Sequence, residues 1–262
     1  MLKKRIIPKL QMKSSSFGNR QRLVLVTTVG FSEVVEIGDP VSQAKIYQAQ
    51  AADELIFLDL HATVTNRETN VDVVRKAAKE IFMPFTVGGG VRTIKDFRRL
   101  LSNGADKVSI NTFAVENPGL INIASKTFGA QCVVVSIDYR EYPDGSKKVC
   151  IYGGRKETNL HPVQWAKEAE ARGAGEILLT SISRDGTRKG LDISLTKEVR
   201  QNISIPLITS GGCGAAAHFI DGFMEGKADA VSAGTYFCFK DENPMQTRSQ
   251  IKNAGIPIRL HT

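Results

Sequence analysis

Cysteine is scarce in this chain and never closely spaced. Cys132, Cys150, Cys213 and Cys238 form no C-x-x-C pair, and three of them sit in or beside apolar runs. That pattern argues against a disulfide framework or a structural zinc site and for reduced thiols in the cytosol. No apolar window approaches the roughly 20 residues of a membrane span. The first residues, Met1-Leu2-Lys3-Lys4-Arg5-Ile6-Ile7-Pro8, lack the apolar core of a signal peptide, so a cytoplasmic location is expected. Aromatic residues make up only 7% of the chain, with a single Trp. Neither an aromatic stacking series nor a basic helix is present. The net charge of +8 is therefore better matched to small anionic metabolites than to nucleic acid.

Apolar content is ample. At 262 residues and 42% hydrophobic, the chain suits one large α/β domain spanning 1–262. The most informative stretch is Pro84-Phe85-Thr86-Val87-Gly88-Gly89-Gly90, a short apolar run ending in three glycines before a charged amphipathic segment. It reads as strand, tight turn and helix start, where free N–H groups attract an anion. Ile205-Pro206-Leu207-Ile208-Thr209-Ser210-Gly211-Gly212 echoes it at a fixed distance (206 − 84 and 212 − 90 both give 122). The same offset relates Glu54 to Glu176 and Gly104 to Gly226. A shared offset across four stretches indicates duplication of a half-length unit.

Eight strand-like runs alternate with eight helical ones. The strands are Arg5 to Leu10, Leu55 to Leu60, Phe85 to Gly88, Lys107 to Asn111, Cys132 to Asp138, Glu176 to Ser181, Pro206 to Ser210 and Asp229 to Ala233. This order predicts a (β/α)8 TIM barrel with half-barrel duplication. A doubly wound open sheet is the alternative, but it leaves the repeat unexplained. A long polar loop is expected over about 11–38, and Asn117-Pro118 is expected to cap the fourth helix. Tyr142-Pro143-Asp144-Gly145 predicts a hairpin excursion at about 139–153.

In barrels of this kind function gathers at the C-terminal strand ends. Those ends hold Gln11, Asp59, Asn111-Thr112, Asp138, Asp185-Gly186 and the glycine runs. Asp138, anchored behind a β-branched strand, is the first candidate for a general acid or base. Asp59, Asp138 and Asp185 could equally cap the loops that follow them. Gly90 with Asn111 and Thr112 would form one anion site. Asp185, Gly186, Gly212, Ala233 and Gly234 would form a second, half a turn away, unless both are ordinary tight turns. Two such sites suit an elongated substrate with a phosphate at each end.

These residues resemble the cyclase subunit of imidazole glycerol phosphate synthase (the HisF family) over nearly the whole chain. The most specific stretches are Leu2-Lys3-Lys4-Arg5-Ile6-Ile7, Phe85-Thr86-Val87-Gly88-Gly89-Gly90, Gly104-Ala105-Asp106-Lys107-Val108-Ser109-Ile110-Asn111-Thr112 and Arg184-Asp185-Gly186-Thr187. The resemblance implies a glutaminase partner whose ammonia crosses the barrel to a bis-phosphorylated ribotide, which is cleaved and closed to an imidazole. It calls for no cofactor and no metal. Arg5, Glu54, Lys107 and Glu176 match the ring of charges at the ammonia entrance, and Asp106 matches a docking residue for the glutaminase. Without the resemblance these five would read as an ion-pair cluster on a barrel floor.

One position departs. The family places aspartates at the ends of strands one and five; Asp138 keeps the second, but the first falls on Gln11. An amide has no proton to exchange near neutral pH, so Gln11 is impaired as a general acid or base. The first loop is also rewritten: the family's loop lysine falls near Thr27, with Lys13 and Arg22 as nearby basic residues. The expectation is a paralogue that conducts ammonia to another acceptor, such as one in amidine formation on a bacterial surface sugar with a separate synthetase. The alternative is an active cyclase of histidine biosynthesis.

Overall fold

The computed structural model describes residues 3–17, 20–239 and 242–259. Its elements in chain order are β1 (Arg5–Phe17), β2 (Arg20–Val29), β3 (Glu33–Gly38), α1 (Pro40–Ala49), β4 (Leu55–Asp59), α2 (Val71–Ala78), β5 (Phe85–Gly88) and α3 (Ile94–Leu101). There follow β6 (Lys107–Ile110), α4 (Thr112–Glu116), α5 (Gly119–Phe128), β7 (Val133–Glu141), β8 (Lys147–Ile151), β9 (Lys156–Glu157) and α6 (Pro162–Ala171). The chain continues with β10 (Glu176–Ser181), α7 (Ile193–Asn202), β11 (Leu207–Ser210), α8 (Ala216–Met224), β12 (Ala230–Ala233), α9 (Thr235–Phe239) and α10 (Pro244–Asn253).

Eight strands pair in parallel in the order β1, β4, β5, β6, β7, β10, β11, β12, and β12 returns to β1. The closed ring rules out the open sheet. Local chemistry starts the helices where the barrel needs them. Asp39 accepts from the Ser42 N–H ahead of Pro40 on α1, Asp192 caps α7, and Thr93 with Asp96 forms a capping box on α3.

Strand parity sorts the side chains, because successive residues face opposite sides of a sheet. On β7, Val133, Val135, Ile137 and Tyr139 join the outer core beneath the helices. Val134, Ser136 and Asp138 alternate with them and turn inward. Phe57 and Phe85 meet edge to face at 4.7 Å in the outer layer. The barrel interior is stacked in tiers. Arg5, Glu54, Lys107 and Glu176 form the floor; Ile7, Ile56, Val134, Leu178, Ile208 and Ala230 form an apolar tier above it. Higher still come Lys9, Ser109, Ser136, Thr180, Ser210 and Ser232, and then Gln11, Asn111 and Asp138 at the rim.

Equivalent positions in the two halves share geometry. The Phe85 N–H donates to Asp106 Oδ2 at 2.8 Å, and the Leu207 N–H donates to Asp229 Oδ2 at 3.0 Å. Gly89 and Gly211 sit at φ 97° and 93°. A Cβ at Gly89 would strike the Asp59 carbonyl, and one at Gly211 would strike the Ser181 carbonyl. Only glycine fits so close to backbone in that conformation.

Two expectations need correction. The stretch expected as a loop after Leu10 is largely strand. β1 runs on past the barrel, pairs antiparallel with β2, and β2 pairs antiparallel with β3. The cause is Leu23-Val24-Leu25-Val26-Thr27-Thr28-Val29, a β-branched run whose members from Leu23 to Thr28 are buried. The polar residues before it hid this signal. In addition, Asn117 closes α4 instead of capping the next helix; α5 begins at Gly119, with no side-chain cap at Pro118. At 139–153, β7 and β8 form an antiparallel ladder around the Tyr142–Ser146 turn.

Candidate functional site

The C-terminal ends of the strands open into two clefts. The larger spans about 690 Å3 of space, open solvent included, and is lined by Lys9, Gln11, Asp59, Gly90, Asn111, Thr112 and Asp138, among others. The smaller, about 230 Å3, is lined by Lys9, Asp185, Gly186, Ser210, Gly212, Ser232, Ala233 and Gly234, among others. The ten residues expected to act in catalysis or anion binding, and Asp59, thus border one or other cleft.

Asp138 ends the inward row of β7. Asn111 Nδ2 donates to its Oδ2 at 2.9 Å, and the Ser136 hydroxyl lies 3.4 Å from its Oδ1. Burial pushes this carboxyl up to about 6; the nearby Lys9 ammonium opposes the rise and Asp185 adds to it. A carboxyl with a pKa near 6 can exchange a proton close to neutral pH, as general acid–base work requires. Asp185 is also raised by burial, against the pull of Lys9 and Thr28. Its Oδ2 accepts from the Thr28 hydroxyl at 2.5 Å, and its Oδ1 lies 3.8 Å from Lys9 Nζ. Its own N–H bonds to the carbonyls of Ser181 and Ile182. Asp185 therefore anchors the first hairpin and faces a buried cation, with no free donor of its own for a phosphate.

Gln11 is 4% exposed. Its Oε1 lies 3.3 Å from the Thr28 hydroxyl, while its Nε2 is buried with no partner among the described residues. Gly90 takes φ 75°, and its N–H donates to Thr63 Oγ1 at 3.1 Å. A ligand would reach that N–H only by displacing Thr63. Thr112 Oγ1 accepts from the Tyr152 N–H at 2.9 Å, tying α4 to the β8–β9 excursion. Gly186 lies directly under the hairpin, since a Cβ there would meet the Thr28 carbonyl. The Gly212 carbonyl accepts from the Gly190 N–H at 2.8 Å.

Asp59 serves its own loop. Arg67 donates to both its oxygens at 2.9 and 2.8 Å, and the Ala62 N–H donates to Oδ1. Lys13 pairs with Glu36 across the β1–β3 extension at 3.0 Å, away from the reacting centre, and Arg22 is an exposed residue of β2. Two residues went unseen in the sequence. Thr28 holds the hairpin to Asp185. Lys9 is a lysine only 3% exposed that borders both clefts. Its signal was parity: Arg5, Ile7, Lys9 and Gln11 all face inward on β1.

At the opposite end Arg5, Glu54, Lys107 and Glu176 close a ring. Arg5 donates to Glu54 at 2.7 Å and to Glu176 at 2.6 Å; Lys107 donates to the same two carboxylates at 3.0 and 2.8 Å. Burial works against the charge on Glu54, but Arg5 and Lys107 outweigh it and hold the carboxyl below its usual range. Lys107 is raised in turn: burial opposes, and Glu176 and Glu54 prevail. Asp106 lies exposed at this same end, its carboxylate accepting from Phe85.

Among the described residues no cluster of three or more His, Cys, Asp or Glu is arranged to hold a metal, and no helix is long and apolar enough to cross a membrane. The fold is a (β/α)8 barrel with carboxylates and glycine-rich turns at its rim and a charged ring at its floor. The sequence model of the family described as "Histidine biosynthesis protein" matches residues 5–242, and the chain belongs to that family. It is 48% identical over 260 residues to the putative imidazole glycerol phosphate synthase subunit hisF2 of Prochlorococcus marinus (strain MIT 9313), covering 99% of both chains. It is 43% identical over 280 residues to the imidazole glycerol phosphate synthase subunit HisF of Methanococcus vannielii, covering 99% of this chain and 100% of that one.

Proposed function

We propose that this chain is the barrel subunit of a glutamine-dependent complex of the imidazole glycerol phosphate synthase type, and that it serves an acceptor other than the cyclase's ribotide. A glutaminase docks on the floor around Asp106 and releases ammonia at the ring of Arg5, Glu54, Lys107 and Glu176. The ammonia passes up the apolar tier to the rim. The acceptor we favour takes part in amidine formation on a bacterial surface sugar, with a separate synthetase as a further partner.

The observation that carries this reading is the pair Gln11 and Lys9. Where a two-carboxylate cyclase needs a second proton-exchanging group, the cleft presents an amide above a buried ammonium. Losing one acid–base group typically costs ~10²–10⁴ in rate, a heavy burden for a pathway enzyme. Duplication of a half-barrel is supported by the 122-residue offset and by the matched geometry at Phe85 and Leu207 and at Gly89 and Gly211. The anion loops are Gly90, Asn111 and Thr112 on one side and Gly186, Gly212, Ala233 and Gly234 on the other, with Asp185 as a neighbour of the second. No cofactor or metal is needed, and the reaction belongs in the cytoplasm.

A second reading has its own support. Asp138 retains a pKa suited to proton transfer, and the 43% identity to a HisF subunit spans the chain. In that case the protein makes imidazole glycerol phosphate and the carboxamide ribotide AICAR. Expression in a histidine auxotroph lacking its own cyclase separates the two. No growth without histidine is expected, against growth for a HisF control; robust rescue would overturn the paralogue reading.

A further inference from the structure

Several buried polar groups lie where the two clefts meet. Lys9 borders both clefts, so its buried side chain stands between the two glycine-rich sides. Its ion-pair contact with Asp185 is 3.8 Å, too long for a hydrogen bond. Ser210 Oγ, Ser232 Oγ and Gln11 Nε2 are buried and have no hydrogen-bond partner among the described residues. The three residues are 2%, 0% and 4% exposed, and the two serines line the smaller cleft together with Lys9. Buried polar groups are nearly always paired, so each orphan asks for an explanation. An ammonium, an amide N–H and two hydroxyls lining adjoining clefts share one natural complement, an oxygen atom with negative charge and several lone pairs. Hydrogen bonds from an ionised donor to such an oxygen are short and roughly twice as strong as neutral ones.

We propose that Lys9, with Gln11, Ser210 and Ser232, forms a central anion-binding site for a ligand oxyanion, most naturally a phosphate. The site lies between and below the two glycine-rich loops. On binding, the ammonium exchanges its long contact with Asp185 for direct bonds to the ligand. The substitution that removes a carboxylate at position 11 thus has a positive content. It replaces an acceptor by a donor beside a lysine, and shifts the cleft from exchanging protons toward holding negative charge. The inference rests on the reading of the rim as an anion site, but not on a glutaminase partner or on any acceptor.

The test is a titration of the full chain with inorganic phosphate, and separately with acetate, followed by the backbone amide signals of Gly212 and Gly234 beside the site and of Gly90 and Thr112 across the mouth. Phosphate is expected to move Gly212 and Gly234. Lys9→Met is expected to weaken that response about tenfold to a hundredfold, the usual cost of losing a charged hydrogen-bonding partner, while leaving Gly90 and Thr112 unaffected. The double variant Lys9→Met/Asp185→Asn removes both charges of the pair, keeps the interior neutral and is expected to show the same loss. A response to acetate alone, lost in the same variants, upholds the site and assigns it to a carboxylate. Unchanged affinity in both variants overturns the proposal. So does a wild-type response confined to Gly90 and Thr112. Silence at all four amides overturns it together with the anion-loop reading.

Discussion

At the floor of the barrel Arg5, Glu54, Lys107 and Glu176 complete one another, each cation bridging both carboxylates at hydrogen-bond distance. At the rim Lys9 and Asp185 are buried and Asp138 is half-buried; the Lys9–Asp185 contact is long at 3.8 Å, and among the described residues the amide and hydroxyls beside them have no partner. The carboxyl groups record the contrast. Glu54 is held below its usual range, whereas Asp138 and Asp185 are pushed above theirs. Both ends carry buried charge of both signs; they differ in whether the protein alone satisfies it. A self-satisfied cluster is a structural element. An unsatisfied one is a site that a ligand completes.

Breaking the floor should have the largest effect on stability. Arg5→Met leaves Glu54 and Glu176 sharing a single cation. Removing one partner from a buried pair costs about 3–5 kcal/mol, so chemical denaturation should show a loss of that order. Glu54 also fixes the sign of the acid response. Its folded pKa lies below the unfolded one, so its contribution is present above the unfolded value and is lost as pH falls through the folded value. The loss should be absent from a Glu54→Gln variant.

The rim can be converted where the floor can only be broken. Gln11→Asp restores the second carboxylate, and in a barrel–glutaminase mixture supplied with ribotide it should raise imidazole formation by ~10²–10⁴ over the parent. A smaller effect is expected at the hairpin. Thr28→Val deletes the 2.5 Å hydrogen bond to Asp185. Hydrogen bonds to charged groups contribute about 1.5–3 kcal/mol, and amide exchange at Gly30, whose N–H bonds to the Asp185 carbonyl at 3.0 Å, should accelerate accordingly. The smallest effect concerns proton affinity. The Asp138 carboxyl should titrate near 6 by carbon NMR, and Lys9→Met should move that midpoint upward, because Lys9 holds it down. The sign for stability is opposite to that of Glu54: the folded state binds the Asp138 proton more tightly than the unfolded chain, so protonation near pH 6 favours folding.

Much of this was legible in the chain. Strand–helix alternation gave the closed barrel. The spacing of glycines and acids pointed to both clefts, because those residues lie at strand ends where parity and turn chemistry act locally. The ring of Arg5, Glu54, Lys107 and Glu176 spans 171 residues in its longest link, and only the family resemblance drew it together. Lys9 is not marked by a strand end: its side chain lies two residues deeper than Gln11 on the same inward row of β1. The hairpin was hidden by a polar lead-in to a β-branched run, and its anchor, Thr28, finds Asp185 at a separation of 157 residues.

The most direct measurement supplies glutamine labelled with nitrogen-15 in its amide to the barrel–glutaminase pair in the presence of the bis-phosphorylated ribotide. Label released as free ammonia, with none in an imidazole ring, is the predicted result. Label built into imidazole glycerol phosphate at a pathway rate would contradict it.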